Sequence, residues 1–190
     1  MSIQDMKQAN ASMHLSTDAN KRAQAGKYLT FKLDQEIYGL SILEVNEIKK
    51  IIDIVHLPKQ PPFVKGVVNL RHHIIPVIDL RLKLGLAEIP ATNMTCMIIV
   101  EIMHGWEKIK TGIIVDEVND VLDFKDVDLQ DPPNVGNDID SSFITGMGKI
   151  QNKVVILLDI LQLLSLDEVK SLESMASSAS QDSSVNEHSA

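Results

Sequence analysis

The chain has 190 residues, 44% of them hydrophobic, and a formal net charge of -8. This length and composition are enough to bury a core, as one domain or two small subdomains. The negative charge argues against general nucleic-acid binding, which needs clustered Lys and Arg. Its apolar runs are far shorter than the roughly 20 residues that cross a bilayer, and the polar N-terminus lacks a signal-peptide pattern. We therefore expect a cytoplasmic protein without direct membrane insertion.

The first half of the chain predicts hairpins of short strands. Residues 1–26 lack a sustained apolar period and are expected to form a mobile arm. Apolar residues recur every three positions over 44–51, which fits a helical turn or a twisted strand equally well. Asp79 is placed to cap a short helix, which Gly85 ends. The other elements predicted from alternation and β-branched runs are strands at 27–33, 37–42, 54–57, 67–70 and 74–78, and the helix at 80–84.

The second half predicts a similar series. Asp159 is placed to cap a helix that runs through Leu164 and is able to continue to about Met175. Residues 173–190 are rich in serine and are expected to form a disordered tail, because they have nothing to pack. The strands predicted here are 95–102, 111–115, 118–124, 127–129, 143–150 and 153–158.

An internal duplication is the most informative feature. Residues 44–48 read Glu-Val-Asn-Glu-Ile, and residues 117–121 read Glu-Val-Asn-Asp-Val. Further on, Gly66 matches Gly146 and Asp79 matches Asp159, both at the same spacing along the chain. The sequence therefore predicts two copies of one small barrel, one at about 27–88 with contributions from the C-terminal helix and one at about 93–160.

The size of the two copies constrains how they pack. A β unit this small has little stability margin by itself, so the halves should share a hydrophobic interface. Junctions between subdomains often bind ligands, and the place where the two Glu-Val-Asn segments approach each other is a candidate groove. By this argument alone, the same positions fit a plain core equally well.

Candidate catalytic and metal-binding groups fail on geometry. Asp79 and Asp159 resemble paired carboxylates, but each precedes a helix and is better explained as a cap. His72 and His73 are adjacent, so on extended backbone they point to opposite faces and cannot chelate one metal together. The single cysteine, Cys96, cannot form a zinc cluster. The sequence therefore predicts no enzyme, no metal and no cofactor.

Arg71 stands between two strongly apolar strands, in a connection too short to hide it. A guanidinium can pair with a carboxylate in a bidentate manner, and Glu47 in the first Glu-Val-Asn segment is a candidate partner. The alternative interpretation is a solvated charge in a turn.

Residues 66–71 read Gly-Val-Val-Asn-Leu-Arg, and residues 74–81 read Ile-Ile-Pro-Val-Ile-Asp-Leu-Arg. These stretches resemble the central signature of CheW-type chemotaxis coupling proteins. The resemblance implies a CheW-like domain over about 27–172. It also implies a mainly β fold, in which two SH3-like five-stranded β-barrel subdomains pack on a shared hydrophobic core, with short helices and polar, mobile termini. Further family markers match at 38–39, 45–48, 112–116 and 143–146.

The resemblance also implies partners and a site. Proteins of this type are adaptors that bind the tip of a chemoreceptor's cytoplasmic hairpin and the regulatory domain of the histidine kinase CheA, in membrane-bound receptor arrays. A second contact with the kinase, or within the array ring, maps onto the loop from Gln130 to Val135. Carried over by motif position, the receptor-binding groove would use Val45, Glu47, Gly66, Arg71, Cys96, Val118 and Val121.

Two positions depart from the family pattern. His72 stands where glycine is usual, which removes easy access to positive φ and predicts a reshaped turn beside the groove. Ser41 stands where aspartate is common, which reduces negative charge at the rim. Three alternatives remain: the same adaptor in a non-flagellar chemosensory system, such as surface motility; a CheV-like adaptor, which adds a receiver domain where only a short tail follows Leu172 here; and a small β-barrel hydrolase.

Overall fold

The computed structural model describes residues 22–104, 107–132 and 141–165, and single residues at 167, 168, 170, 171, 174 and 177. Nearly all of the regular structure is β. The strands are β1 Gly26–Leu33, β2 Glu36–Ser41, β3 Val45–Lys50, β4 Val64–Leu70, β5 His73–Asp79, β6 Cys96–His104, β7 Glu107–Val115, β8 Glu117–Phe124, β9 Leu129–Gln130, β10 Ile144–Ile150 and β11 Lys153–Leu158. Two short helices are α1 Leu80–Lys83 and α2 Ile160–Leu163.

The strands form two sheets of similar design. The six-stranded sheet has the order β8-β1-β2-β11-β10-β9, and the five-stranded sheet has the order β3-β6-β7-β5-β4. Each sheet contains one parallel pair, β2 with β11 and β5 with β7, and its other neighbours are antiparallel. The mainly β class and the two like-built units agree with the prediction.

The predicted division into barrels at about 27–88 and 93–160 is wrong as a description of the sheets. The six-stranded sheet takes β1 and β2 from the first half and β8 to β11 from the second. The five-stranded sheet takes β3 to β5 from the first half and β6 and β7 from the second. The chain crosses between the sheets twice, at Ile42–Glu44 and at Asp116. Strand exchange of this kind is long-range pairing, which local alternation does not reveal.

A shared core lies between the two sheets, as the small size of the halves predicted. Phe31 and Leu40 of the six-stranded sheet and Ile78 and Ile98 of the five-stranded sheet are fully buried in it. Each sheet also has a smaller core of its own, which includes Phe124 in the six-stranded sheet and Met97 in the five-stranded sheet. The buried members of the shared core are Leu29, Phe31, Leu33, Leu40, Ile78, Leu80, Ile98, Val100, Ile109, Ile113, Val115, Leu158, Ile160, Leu163 and Leu164.

The six-stranded sheet curves strongly. Phe124 ends β8 at one side of the strand order, and its ring covers Gly148 of β10, near the other side. A Cβ at Gly148 would lie 2.5 Å from Cε1 of Phe124, so the close approach requires glycine here. The two ends of the strand order therefore come close to each other.

Local structure corrects several predicted elements. The ambiguous segment 44–51 is the strand β3, preceded by a 3₁₀ turn at Ile42–Glu44. The strand predicted at 54–57 is reduced to one bridge between Val55 and Val67. The strand predicted at 127–129 is a 3₁₀ turn at Asp126–Asp128 followed by the short β9. Pro58, Pro61 and Pro62 follow the segment 54–57 and prevent a longer ladder there, because proline has no N–H to donate.

The helix predicted from Asp159 to about Met175 is interrupted. α2 ends at Leu163, and Leu164 and Ser165 are not helical. Ser165 and Glu168 then form a reciprocal capping box, with the Glu168 N–H donating to Oγ of Ser165 at 3.2 Å and the Ser165 N–H donating to Oε2 of Glu168 at 2.8 Å. The described residues that follow are helical.

The end of the predicted N-terminal arm is attached to the six-stranded sheet. The Ala23 N–H donates to the Thr145 carbonyl at 2.9 Å, and Ala23 packs against the core around Phe124. The rest of the arm, and nearly all of the predicted tail, lie outside the described residues. No helix in the described part of the chain is long and apolar enough to cross a membrane.

Candidate functional site

The two Glu-Val-Asn segments form equivalent edge strands. β3 is at the edge of the five-stranded sheet, and β8 is at the edge of the six-stranded sheet. At the same repeat position, Ile48 of β3 is 44% exposed and Val121 of β8 is 47% exposed. The duplicated sequence therefore presents an apolar side chain to solvent from each sheet. Ile48 was missed from the sequence, although the repeat that singles out Val121 would have found it.

Three of the predicted groove residues meet at the shared core. Val45 begins β3, Cys96 begins β6 and Val118 follows the first residue of β8. All three are half-buried and pack against the shared core. They are thus connected through one apolar cluster, although β3 and β8 belong to different sheets. The Cys96 thiol lies 3.2 Å from the Met94 carbonyl, which accepts its weak hydrogen bond.

Arg71 pairs with Glu47, as the sequence predicted. Its Nη2 lies 3.4 Å from Oε2 of Glu47, and Nζ of Lys49 lies 3.3 Å from the same oxygen. The contact is single rather than bidentate, and 77% of the Arg71 side chain is exposed. The pair is therefore wet, and most of the guanidinium donors face solvent. Such a pair contributes at most about 1 kcal/mol to stability.

The turn that carries Arg71 keeps a left-handed backbone. φ is 51° at Arg71 and 67° at His72. Two-residue hairpins favour this conformation because its twist matches that of the strands. His72 therefore adopts the positive φ that was expected to be hard to reach, at the cost of local strain.

Gly66 has a backbone role that explains its residue type. It lies in β4 with φ of 135°, and a Cβ there would lie 2.0 Å from the Val55 carbonyl oxygen. The Val55 N–H and carbonyl both bond to Val67, so Gly66 lets this crossing segment approach β4. The close approach of two backbones thus explains why residue 66 is a glycine.

The predicted second contact is described only in part. Gln130 ends β9, at the edge of the six-stranded sheet opposite β8, and its side chain is exposed. Val127, in the preceding turn, is 88% exposed. Val135 lies outside the described residues.

Two cavities lie away from these residues. The larger, of about 570 Å³, is lined by residues 22–28 and 41–44 together with three residues of the C-terminal half. The smaller, of about 270 Å³, lies under the connection at 88–91. None of the seven predicted groove residues lines either cavity.

The described residues contain no group of three or more His, Cys, Asp or Glu side chains that could hold a metal ion. They do contain a buried charge that the sequence did not single out. Arg81 is 6% exposed and is the only buried basic residue in the described ranges. The sequence showed it only as the last residue of the signature motif.

Comparisons with known proteins agree with this architecture. The CheW-like domain model matches residues 27–168. The chain is 34% identical to "Chemotaxis protein CheW" of Klebsiella aerogenes over 143 residues, which is 75% of this chain and 84% of that protein. It is also 34% identical to "Chemotaxis protein CheW" of Treponema pallidum over 142 residues, with the same coverage of each chain.

A solved structure gives the same result at the level of the fold. The crystal structure of the scaffolding protein TtCheW from Thermoanaerobacter tengcongensis matches with a TM-score of 0.67 and 34% sequence identity. The match covers 76% of this chain and 96% of that one. The duplicated sequence, the two exchanged sheets and these matches lead to one conclusion: the chain belongs to the CheW family of chemotaxis scaffold proteins.

Proposed function

We propose that this protein links chemoreceptors to the histidine kinase CheA in signalling arrays. Two observations carry the proposal: the exposed Arg71 guanidinium pairs with Glu47 of β3, and both Glu-Val-Asn segments place a half-buried valine, Val45 and Val118, against the shared core. This surface combines apolar contact with a directional charge, which suits an amphipathic receptor helix.

The receptor contact is proposed to use both sheet edges. Ile48 and Val121 supply exposed apolar surface, and Val45, Cys96 and Val118 continue it toward the shared core. The free donors of Arg71 then bond to polar groups of the receptor hairpin and fix its register. A helix lying across both edges would touch the two halves of the molecule at once.

The kinase contact is proposed to lie at the β9 edge of the six-stranded sheet, with Gln130 and Val135 as its residues. β9 and β8 are different edge strands of the six-stranded sheet, so each partner is assigned its own strand. Binding both partners on one scaffold raises the effective concentration of the kinase at the receptor. The protein would thus be recruited from the cytoplasm to membrane-bound arrays without inserting into the membrane.

The proposal is tested by replacing Arg71 with Ala. We expect the affinity for receptor-containing membranes to fall about tenfold, as for a central charged contact in an interface. The fold should remain intact, because Glu47 keeps Lys49 as a partner and the pair is exposed. Co-sedimentation measures receptor capture, and circular dichroism checks the fold.

A matched control is Arg22→Ala, which removes another exposed arginine that forms an ion pair, here with Asp131. This control should co-sediment like the wild-type chain. Receptor capture by the Arg71→Ala variant that equals the control would refute the assigned receptor site. A parallel pull-down with the CheA regulatory domain should be unaffected by Arg71→Ala, and a Gln130→Arg variant should weaken it.

A further inference from the structure

Arg81 occupies an unusual place for a basic residue. Its side chain is only 8% exposed, and it projects from α1, the helix that directly follows β5 of the five-stranded sheet. Nε of Arg81 donates to the Ala87 carbonyl at 2.9 Å. Burying a guanidinium is costly unless charged partners compensate for the lost water. Arg81 therefore depends on charged partners inside the molecule.

Both charged partners of Arg81 belong to connections that serve the other sheet. Nη1 of Arg81 donates to Oδ2 of Asp116, which stands between β7 and β8. Nη2 of Arg81 lies 3.7 Å from Oδ1 of Asp34, in the β1–β2 turn of the six-stranded sheet. The Asp34 N–H donates to the same Asp116 oxygen at 2.8 Å. One buried guanidinium thus joins α1 to two points of the opposite sheet.

Asp116 is the whole of the second crossover between the sheets. β7 ends at Val115 in the five-stranded sheet, and β8 begins at Glu117 in the six-stranded sheet. The Asp116 N–H also donates to the Lys32 carbonyl at 3.2 Å. Val118 lies only two residues further along β8. Whatever fixes Asp116 therefore fixes the start of the strand that forms one wall of the proposed groove.

The same guanidinium is connected to the other wall of the groove, which is formed by the β4–β5 hairpin. The β4–β5 hairpin carries Arg71 at its turn, and β5 continues into α1 through Asp79. The two walls are thus joined through β5, α1, the Arg81–Asp116 pair and β8. The equivalent position in the second half is Leu161, which packs on the shared core, so this charged connection exists at one crossover and is not repeated by the duplication.

We propose that Arg81 is a positioning residue for receptor binding: its buried pair with Asp116 fixes the orientation of β8 relative to the five-stranded sheet. This inference rests on the proposed function, since it concerns the same receptor groove. Arg81 does not itself touch the receptor. Its removal changes the angle between the two walls of the groove and leaves the residues of both walls in place.

The test measures orientation and binding separately. Residual dipolar couplings of backbone amides report the relative orientation of the two sheets, and calorimetry reports the affinity for a soluble chemoreceptor hairpin fragment from the same organism. The variants are Arg81→Met, Arg81→Lys and the double variant Arg81→Met/Asp116→Leu. The double variant replaces both charged groups with apolar ones, so that stability is retained while the directional contact is lost.

In Arg81→Met and in the double variant, we expect the couplings of each sheet to fit the wild-type structure of that sheet with a separate alignment tensor. The angle between the two sheets should differ from the wild-type angle. Receptor affinity should fall about tenfold, within the range of coupling between contacting groups. Arg81→Lys should keep the wild-type angle and most of the affinity, because its ammonium still reaches a carboxylate. Arg22→Met, at an exposed arginine, is the matched control and should change neither reading.

Two outcomes would overturn the inference. One is a wild-type angle with an affinity within twofold of wild type in the folded double variant. The other is a loss of affinity without any change of angle, since Arg81 would then act in another way. If the wild-type chain does not bind the receptor fragment, the proposed function itself fails; the couplings would still show whether Arg81 sets the angle.

Discussion

The two capped helices, α1 and α2, follow equivalent strands of a duplicated chain but make different side-chain contacts. Each begins after an aspartate whose carboxylate accepts backbone N–H groups, Asp79 from Leu82 and Asp159 from Leu161 and Gln162. Their sequences then diverge, since α1 reads Leu-Arg-Leu-Lys and α2 reads Ile-Leu-Gln-Leu. Ile160 and Leu163 of α2 are buried in the shared core.

Both basic residues of α1 form ion pairs with distant parts of the chain. Arg81 pairs with Asp116 at the second crossover. Nζ of Lys83 lies 2.6 and 2.8 Å from the two carboxylate oxygens of Glu168 and 4.4 Å from the centre of the Phe63 ring. Both copies of the helix pack on the shared core, through Leu80 in α1 and through Ile160 and Leu163 in α2, and α1 adds electrostatic attachment. Duplication preserved the backbone unit and its cap while the side chains specialised.

The largest expected effect comes from Arg81→Ala. Truncation leaves Asp116, whose side chain is 21% exposed, without its guanidinium partner, so the free energy of unfolding should fall by about 3 kcal/mol. Leu161→Ala, at the equivalent position of α2, should cost about 1–2 kcal/mol, because Leu161 is only half-buried. Urea denaturation monitored by circular dichroism measures both values. An equal or larger cost at Leu161 would contradict the specialisation of α1.

The caps should show a smaller difference in the opposite sense. Asp159→Ala should lower the free energy of unfolding by about 1.5 kcal/mol and Asp79→Ala by about 1 kcal/mol, because Asp159 accepts two N–H groups and Asp79 accepts one. Replacement of either residue with Asn keeps a carbonyl acceptor and should recover most of the loss. A greater loss at Asp79 would mean that cap geometry does not set the cost.

The smallest effect should come from Glu168→Gln, which weakens the attachment of the C-terminal segment to α1. Burial by itself raises the pKa of Glu168, but the hydrogen bonds from Lys83 and Ser165, together with the lysine charge, outweigh burial and lower the pKa below its ordinary value of 4.5. The wild-type chain should be more stable than this variant by about 1 kcal/mol near neutral pH.

The pH dependence of that difference follows from the direction of the shift. A carboxylate with a lowered pKa in the folded state stabilises the fold above its unfolded pKa, and this stabilisation is lost as the pH falls through the lowered value. The difference between wild type and Glu168→Gln should therefore be constant above pH 4.5 and disappear in more acidic solution. Denaturation curves over this range measure it. A difference that persists below the lowered pKa would show that the charge of Glu168 is not responsible.

Much of the local structure was predictable from the chain. The hairpin β1–β2, the strands around residues 66–79 and the capped helices follow from alternation, β-branched runs and well-placed aspartates. The duplication also predicted two like-built units and a common core, since neither half is large enough to be stable by itself. Arg71 and Glu47 were paired correctly because a guanidinium in a short connection between two apolar strands has few carboxylates within reach.

The errors have one physical origin. The predicted barrels kept each half of the sequence together, whereas β3 and β8 pair with the opposite half. Strand pairing is set by register and burial across the whole molecule, and period-two alternation is the same whichever neighbour a strand chooses. The exposure of Ile48 depends on β3 becoming an edge strand, and the burial of Arg81 depends on α1 meeting Asp116 and Asp34.

The sequence by itself determined the repeated hairpins, the caps and the presence of an apolar core, because these depend on short-range periodicity and on residue chemistry. Only the tertiary structure decided which halves exchange strands, which crossover is secured by Arg81, and which apolar residues face solvent. These features require groups far apart in the chain to meet, and the energy of such contacts is distributed over both sheets rather than encoded in any one segment.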